Sequence, residues 1–244
     1  MLEEFKRVMM ASFEMSGLGK MRYFLGMEIS QEKNGVFYAQ KKYTEDLLKR
    51  FNMTGCKPVA TPLIPNEKLR KDDDGKKVDA STYRSLVGSL LYLRNTIPGI
   101  LFATSLLLRF MQSPSQIHFG TAKRILRYLQ GAINFGIWNE KTSSTKLVGF
   151  TDSDWAGSSN DMRSTSGYCF TVGSAMFFWS SRRQGNVAQS TAKTEYVATA
   201  GYTNQAIWLR RVLEDMGEKQ LGSTQIFCDN KSAITIAKDP VQHS

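Results

Sequence analysis

Histidine and cysteine are scarce: the chain of 244 residues has two histidines, His118 and His243, and three cysteines, Cys56, Cys169 and Cys228. No two cysteines form a Cys-x-x-Cys pair, and a structural zinc site needs four nitrogen or sulfur ligands at short spacings. The composition therefore argues against a zinc module. An odd, scattered set of thiols without a signal peptide fits a reducing intracellular compartment, cytoplasm or nucleus, and a protein that is not secreted. No apolar run nears the roughly 20 residues of a membrane span. The richest stretch, 97–112, is broken by Pro98, Gly99 and Arg109. Acids are also in deficit, with Asp+Glu 22 against Lys+Arg 32 and a net charge of +10. Such a balance favours a polyanionic partner, most simply nucleic acid, while plain solubility is its more ordinary use.

What is present is an alternation of helical and strand-like patterns. Residues 1–15 place Leu2, Phe5, Met9 and Phe13 on one helical face. Two strand-like runs, 23–30 and 36–39, flank Asn34-Gly35, a hairpin turn signal. A helix is expected over about 41–52, and Pro58, Pro62 and Pro65 then hold the chain extended. Asp72-Asp73-Asp74 sits between Lys, Gly and Lys, so it reads as a solvated loop rather than a metal site. Residues 81–112 suggest two helices parted at Ile97-Pro98-Gly99, and a further helix follows, opened by Ser113-Pro114 and closed at Gly131. On it Lys123, Arg124 and Arg127 lie largely off the apolar stripe. They make either a solvated face or a ridge that contacts phosphates.

The polar stretch 139–145 is the best boundary in the chain. Beyond it the pattern is strand (146–152), strand (167–172), strand (175–180), long helix (190–216), strand (223–228) and short helix (229–238). That order predicts an α+β fold whose second part is a mixed sheet with flanking helices. Three acids stand out against it. Asp152 closes the apolar run Lys-Leu-Val-Gly-Phe-Thr-Asp, Glu195 lies in the first turns of the long helix, and Asp229 closes Gln-Ile-Phe-Cys-Asp. Carboxylates on strand ends and a crossing helix can converge, and divalent cations offset their mutual repulsion. Asp154 competes with Asp152, because residues two apart on a strand face the same way. Asp229 could equally cap the helix that follows it.

These motifs resemble the C-terminal part of the polyprotein of a copia-type LTR retrotransposon. In the first half the likeness rests on Tyr23-Phe-Leu-Gly-Met-Glu-Ile29, Tyr83-Arg-Ser-Leu-Val-Gly-Ser-Leu-Leu-Tyr92 and Ala122-Lys-Arg-Ile-Leu-Arg-Tyr-Leu129. In the second it rests on Gly149-Phe-Thr-Asp-Ser-Asp-Trp-Ala-Gly157, Arg163-Ser-Thr-Ser-Gly-Tyr168, Thr194-Glu-Tyr-Val-Ala198, Trp208-Leu-Arg-Arg211 and Cys228-Asp-Asn-Lys-Ser-Ala233. The resemblance implies a thumb- and connection-like region of a reverse transcriptase over 1–140, without the polymerase active site. It also implies a ribonuclease H-like domain over 146–244. It favours Asp152 over Asp154 and makes Asp152, Glu195 and Asp229 catalytic metal ligands for two Mg2+ or Mn2+ ions, about 4 Å apart. The substrate class it implies is an RNA–DNA hybrid, cut in its RNA strand.

Two departures from the family pattern bear on activity. Lys193 stands where an acid would complete a capping box with Ser190, and Ile97 and Gly99 flank Pro98 where Arg and Asp are usual. The chain also stops at His243-Ser244, where the family continues into a further acidic ligand and a closing strand and helix. The expectation is thus a ribonuclease H site with weak metal binding and low or lost activity. The alternative is a non-catalytic nucleic-acid-binding remnant of a decayed element.

Overall fold

The computed structural model describes residues 2–14, 19–65, 67–158 and 160–239. Met1 and Met15 of the expected first helix, and the C-terminal residues through His243-Ser244, lie outside them. Helix α1 (Leu2–Ser12) precedes a four-stranded antiparallel sheet of β1 (Tyr23–Phe24), β2 (Met27–Glu32), β3 (Gly35–Ala39) and β4 (Gly136–Glu140), in that order. The strand expected over 23–30 is in fact two. Leu25 and Gly26 both have positive φ, 47° and 75°, and fold β1 back on β2. Glu32 pairs with Gly35, so the next turn falls on Lys33-Asn34, one residue earlier than the sequence signal. Gly35 is instead a strand residue whose missing side chain lets the Trp138 ring and the Asn139 carbonyl of β4 approach. β4 itself, short and half exposed, was not expected from the sequence.

Helices α2 (Lys41–Arg50), α3 (Ala80–Leu93), α4 (Leu101–Leu107) and α5 (Gln116–Gly131) enclose the larger core. Their apolar stripes bring Tyr83, Leu86, Leu90, Leu93, Ile125, Leu126 and Leu129 to zero exposure. Ile97, noted in the sequence as a missing charge, is buried in this cluster, where an arginine could not sit unpaired. A 3-10 turn at Pro98–Ile100 joins α3 to α4. Helix α5 starts two residues later than expected. Ser115, not Ser113, is its cap, accepting from the His118 N–H, while His118 Nδ1 accepts from the Ser115 N–H at 3.0 Å. The other ring nitrogen donates to the Arg70 carbonyl at 2.9 Å. Asp73, read as solvated, is also drawn in: it accepts from the Ser115 hydroxyl and the Gly75 N–H. The acidic loop is therefore a clasp on α5 at its middle residue, and Asp72 and Asp74 alone remain exposed.

The second sheet has strands β5 (Leu147–Asp154), β6 (Thr165–Val172), β7 (Ala175–Arg183) and β8 (Gln225–Cys228), ordered β7-β6-β5-β8. The first three form an antiparallel meander. β8 returns parallel to β5 after the crossover helix α6 (Thr191–Asp215) and leads into α7 (Lys231–Lys238). One face packs Leu147, Tyr168, Phe170 and Phe178 on Ala198, Tyr202, Ala206 and Leu209 of α6, a smaller separate core. The other face meets α4 and the end of α3: the Ser105 hydroxyl donates to the Ser181 carbonyl, and the Trp179 indole to the Arg94 carbonyl at 3.1 Å. The architecture is α+β, with helices against a mixed sheet as the sequence pattern predicts. No helix among the described residues is long and apolar enough to cross a membrane.

Candidate metal centre

Parallel pairing of β5 and β8 decides where the acids meet. Thr151 is level with Cys228, so Asp152 and Asp229 each follow a paired residue at the same edge of the sheet. Helix α6 runs up to that edge with Glu195 in its second turn, buried to 5% exposure. Its carboxylate is fixed from two sides: Oε1 accepts the Ser153 N–H at 2.8 Å, and Oε2 faces the Cys228 thiol at 3.8 Å. Possible ligand atoms of Glu195, Cys228 and Asp229 all lie within 4.8 Å of one another. Asp152 stands beside this group without being a member. It is near enough that its charge helps raise the Glu195 pKa.

The main cause of that rise is burial of the Glu195 carboxyl, with the charges of Asp152 and Asp229 adding to it and the Ser153 hydrogen bond opposing it. A buried carboxylate crowded by two others is what a divalent cation would relieve, so the oxygen donors fit such an ion. Cys228 differs in kind. Burial first, then the neighbouring carboxylates, push its thiol pKa up, so it stays an S–H donor to Glu195 rather than a thiolate ligand. Sequence reading passed over Cys228. Its signal was the parallel strand it closes, whose alternation turns it toward α6 while Phe227 faces away.

Asp154 is engaged elsewhere. It accepts the Thr165 N–H and lies by the half-buried Arg109, whose guanidinium also donates to the Thr165 hydroxyl at 2.7 Å. A side chain at Gly157 would run into its carboxylate. Asp152, two residues earlier, is exposed at the mouth of a cleft of about 560 Å³ between β5–β7 and α4. The two acids that alternation made equivalent thus have different surroundings.

The start of α6 is held by Ser190, which accepts the Lys193 N–H at 3.2 Å. Lys193 is exposed and makes no return bond to the cap, so the capping box stays half built. Buried Gln184 compensates. Its amide donates to the Thr194 carbonyl at 2.9 Å and the Ser166 hydroxyl at 2.8 Å, tying the helix start to β6. Lys123, Arg124 and Arg127 are no part of the group formed by the acids, and each is half-buried. Arg124 donates to the Thr61 hydroxyl at 3.1 Å and Arg127 to the Lys57 carbonyl at 2.9 Å, so both fasten the extended 57–65 segment to α5. Lys123 lies over the Phe119 ring at 4.9 Å.

Residues 1–65 match the family model for reverse transcriptase (RNA-dependent DNA polymerase). The chain is 38% identical over 225 residues to the retrovirus-related Pol polyprotein from transposon RE1 of Arabidopsis thaliana, covering 92% of this chain and 15% of that protein. It is 36% identical over 246 residues to the Pol polyprotein from transposon TNT 1-94 of Nicotiana tabacum, covering 96% and 18%. An uncharacterized mitochondrial protein of Arabidopsis thaliana is 38% identical over 198 residues, 81% of this chain and 82% of that one. The chain therefore spans less than a fifth of the two polyproteins. No solved structure matches it.

Proposed function

The chain belongs to the family of retrovirus-related transposon Pol polyproteins, in its reverse transcriptase-related part, and from that premise we propose that it hydrolyses the RNA strand of RNA–DNA hybrids with Mg2+ or Mn2+. The observation that carries this reading is the buried Glu195 carboxylate, clamped by the Ser153 N–H between the ends of β5 and β8 with Asp152 and Asp229 at its side. The mixed sheet with its crossover helix is the arrangement that a ribonuclease H-like domain over 146–244 would have. Residues 1–140, with their own core, would be the thumb- and connection-like region.

In this reading Asp152, Glu195 and Asp229 hold the cations. Bound there, two divalent ions supply a water of lowered pKa and charge stabilisation for the departing 3′ oxygen. Glu195 is the rigid member: its helix start is fixed by Ser190 and Gln184, and its carboxylate is oriented by Ser153. Asp152 and Asp229 are exposed and can reorient toward a scissile phosphate. Selection of RNA over DNA would rest on contacts to the 2′-hydroxyl. Lys123, Arg124 and Arg127 belong to this proposal as charge near the nucleic acid rather than as free phosphate hooks, since Arg124 and Arg127 each give a donor to the 57–65 segment.

A non-catalytic nucleic-acid-binding role is the second reading. It has Cys228 in its favour, a thiol that stands between Glu195 and Asp229 where an oxygen would suit Mg2+ better. Incubation of the chain with a labelled RNA–DNA hybrid in Mg2+ or in EDTA separates the two. Cleavage that needs the metal and vanishes in Asp229→Asn supports hydrolysis. Binding without metal-dependent cleavage assigns the second role and overturns the first.

A further inference from the structure

The side of the second sheet that faces α4 and the sheet edge at β7 carry two adjoining clefts. The first, about 560 Å³, runs from Asp152 and Asp154 to Phe102 and Trp179. The second, about 760 Å³, shares Leu101, Trp179 and Ser181 with it and continues to Arg94, Arg182, Arg183 and the exposed Phe177. One continuous surface therefore leads from the Asp152 and Asp154 carboxylates to guanidinium groups, while Glu195 and Asp229 line neither cleft. Among the described residues neither Arg94 nor Arg182 is in an ion pair. Arg183 shares Asp161 with Arg163, at 2.5 and 3.8 Å, so one acid serves two cations and leaves an excess of positive charge. Arg94 has a second role as the residue that ends α3, where a cation suits the helix dipole. That role explains Arg94 alone and gives no account of Arg182 and Arg183, which line the cleft from the end of β7.

The geometry points to the second cleft as the seat of the sugar–phosphate backbone of a nucleic-acid strand, bound a short way from the point where that strand meets the carboxylates. This inference rests on the proposed role of Asp152, Glu195 and Asp229 in cutting such a strand. Guanidinium groups pair bidentately with phosphate oxygens, and an aromatic floor accepts sugar or base faces. The Trp179 indole N–H is spent on the Arg94 carbonyl, which holds the floor and one wall in register. Arg124 and Arg127, the arginines noted in the sequence, each give a donor to the chain itself, whereas no ion pair occupies Arg94 or Arg182.

The test is fluorescence anisotropy of a labelled RNA–DNA hybrid across a salt series in EDTA, where cleavage plays no part. Each phosphate contact contributes about 0.9 to the slope of log affinity against log salt. The double variant Arg94→Ala, Arg182→Ala is expected to lose about 1.8 from that slope, two contacts' worth, and Arg94→Lys, Arg182→Lys to recover most of it. Lys33→Ala with Lys49→Ala, equal in charge and outside both clefts, is expected to keep the wild-type slope. Arg182→Ala alone, on the exposed end of β7, serves if the double variant loses its circular dichroism signal, and should lose about 0.9. An unchanged slope in the Arg94 and Arg182 variants, or an equal loss in the lysine pair, overturns the inference. The cleavage reading fails by a separate result: a protein that shows the expected slope losses but never cuts in Mg2+ keeps this cleft and loses that activity.

Discussion

Asp152 and Asp154 point to the same side of β5, yet one is exposed at a cleft and the other is held by Thr165 and Arg109. Removing Asp154 orphans a backbone N–H and takes the neighbouring negative charge from a half-buried guanidinium, so Asp154→Ala is expected to cost about 1–3 kcal/mol in urea unfolding. Asp152→Asn should leave stability unchanged or improve it by easing repulsion on Glu195. Equal destabilisation by both would show that they share one structural task. Glu195 gives a prediction with a definite sign. Its folded pKa is raised above 4.5, so its contribution to stability is full below that pH and is lost as pH rises through the folded value. Glu195→Gln keeps an acceptor for Ser153 without the charge. In EDTA at neutral pH it should melt higher than the wild type, and the gap should close on acidification toward pH 4.5. Mg2+ should raise the wild-type Tm and not that of the glutamine variant. A wild-type Tm indifferent to Mg2+ would count against a metal site there.

Elements were legible wherever local chemistry alone decides them. Helices α2, α3, α5 and α6 follow their apolar stripes, α6 its cap as well, and β5–β8 follow their apolar runs. The misses have local causes that act across strands. The 23–30 run breaks because Leu25 adopts positive φ, a choice no apolar pattern records, and the Tyr92 hydroxyl bonds to its carbonyl. β4 escaped because its pairing with β3, not its own composition, makes it a strand. At α6 the cap was legible as Ser190, and its weakness as Lys193. Lys193→Glu should add the missing half of the capping box and remove an adverse charge at the helix start, raising stability by about 0.3–1 kcal/mol. Ser190→Ala should lower it by about 1 kcal/mol. Thermal unfolding of both variants checks the pair. A neutral Lys193→Glu would mean that Gln184 already satisfies that end of the helix.

For the whole molecule, two hydrophobic cores meet across a seam that holds the hydrogen bonds of Trp179 to Arg94, Ser105 to Ser181 and Arg109 to Thr165, and the Lys71 N–H to Asn160 and Ser174 hydroxyl to Glu140 carbonyl also join the two parts. The same seam forms both clefts. Trp179→Phe keeps most of the buried surface but gives up the indole N–H, leaving the Arg94 carbonyl without that donor. It is expected to loosen the seam by about 1 kcal/mol and to separate the unfolding of the two cores, seen in a Trp138→Phe background as Trp155 and Trp208 fluorescence changing apart from far-ultraviolet circular dichroism. A single coincident transition in the variant would show that the seam contributes nothing to their coupling.

Sequence by itself determined the α+β class, most of the elements, the positive charge and the resemblance to retrotransposon polyproteins. It did so because periodicity, caps and motifs are properties of neighbouring residues. It also named Asp152, Glu195 and Asp229, each by its own local run. Only the tertiary structure decided that Cys228 sits among them, that Asp154 is engaged by Arg109, and that Arg94 and Arg182 rather than Arg124 and Arg127 face an open cleft. Those outcomes depend on strand order, on which face of a sheet each side chain takes, and on what packs against it, none of which is encoded within a single element.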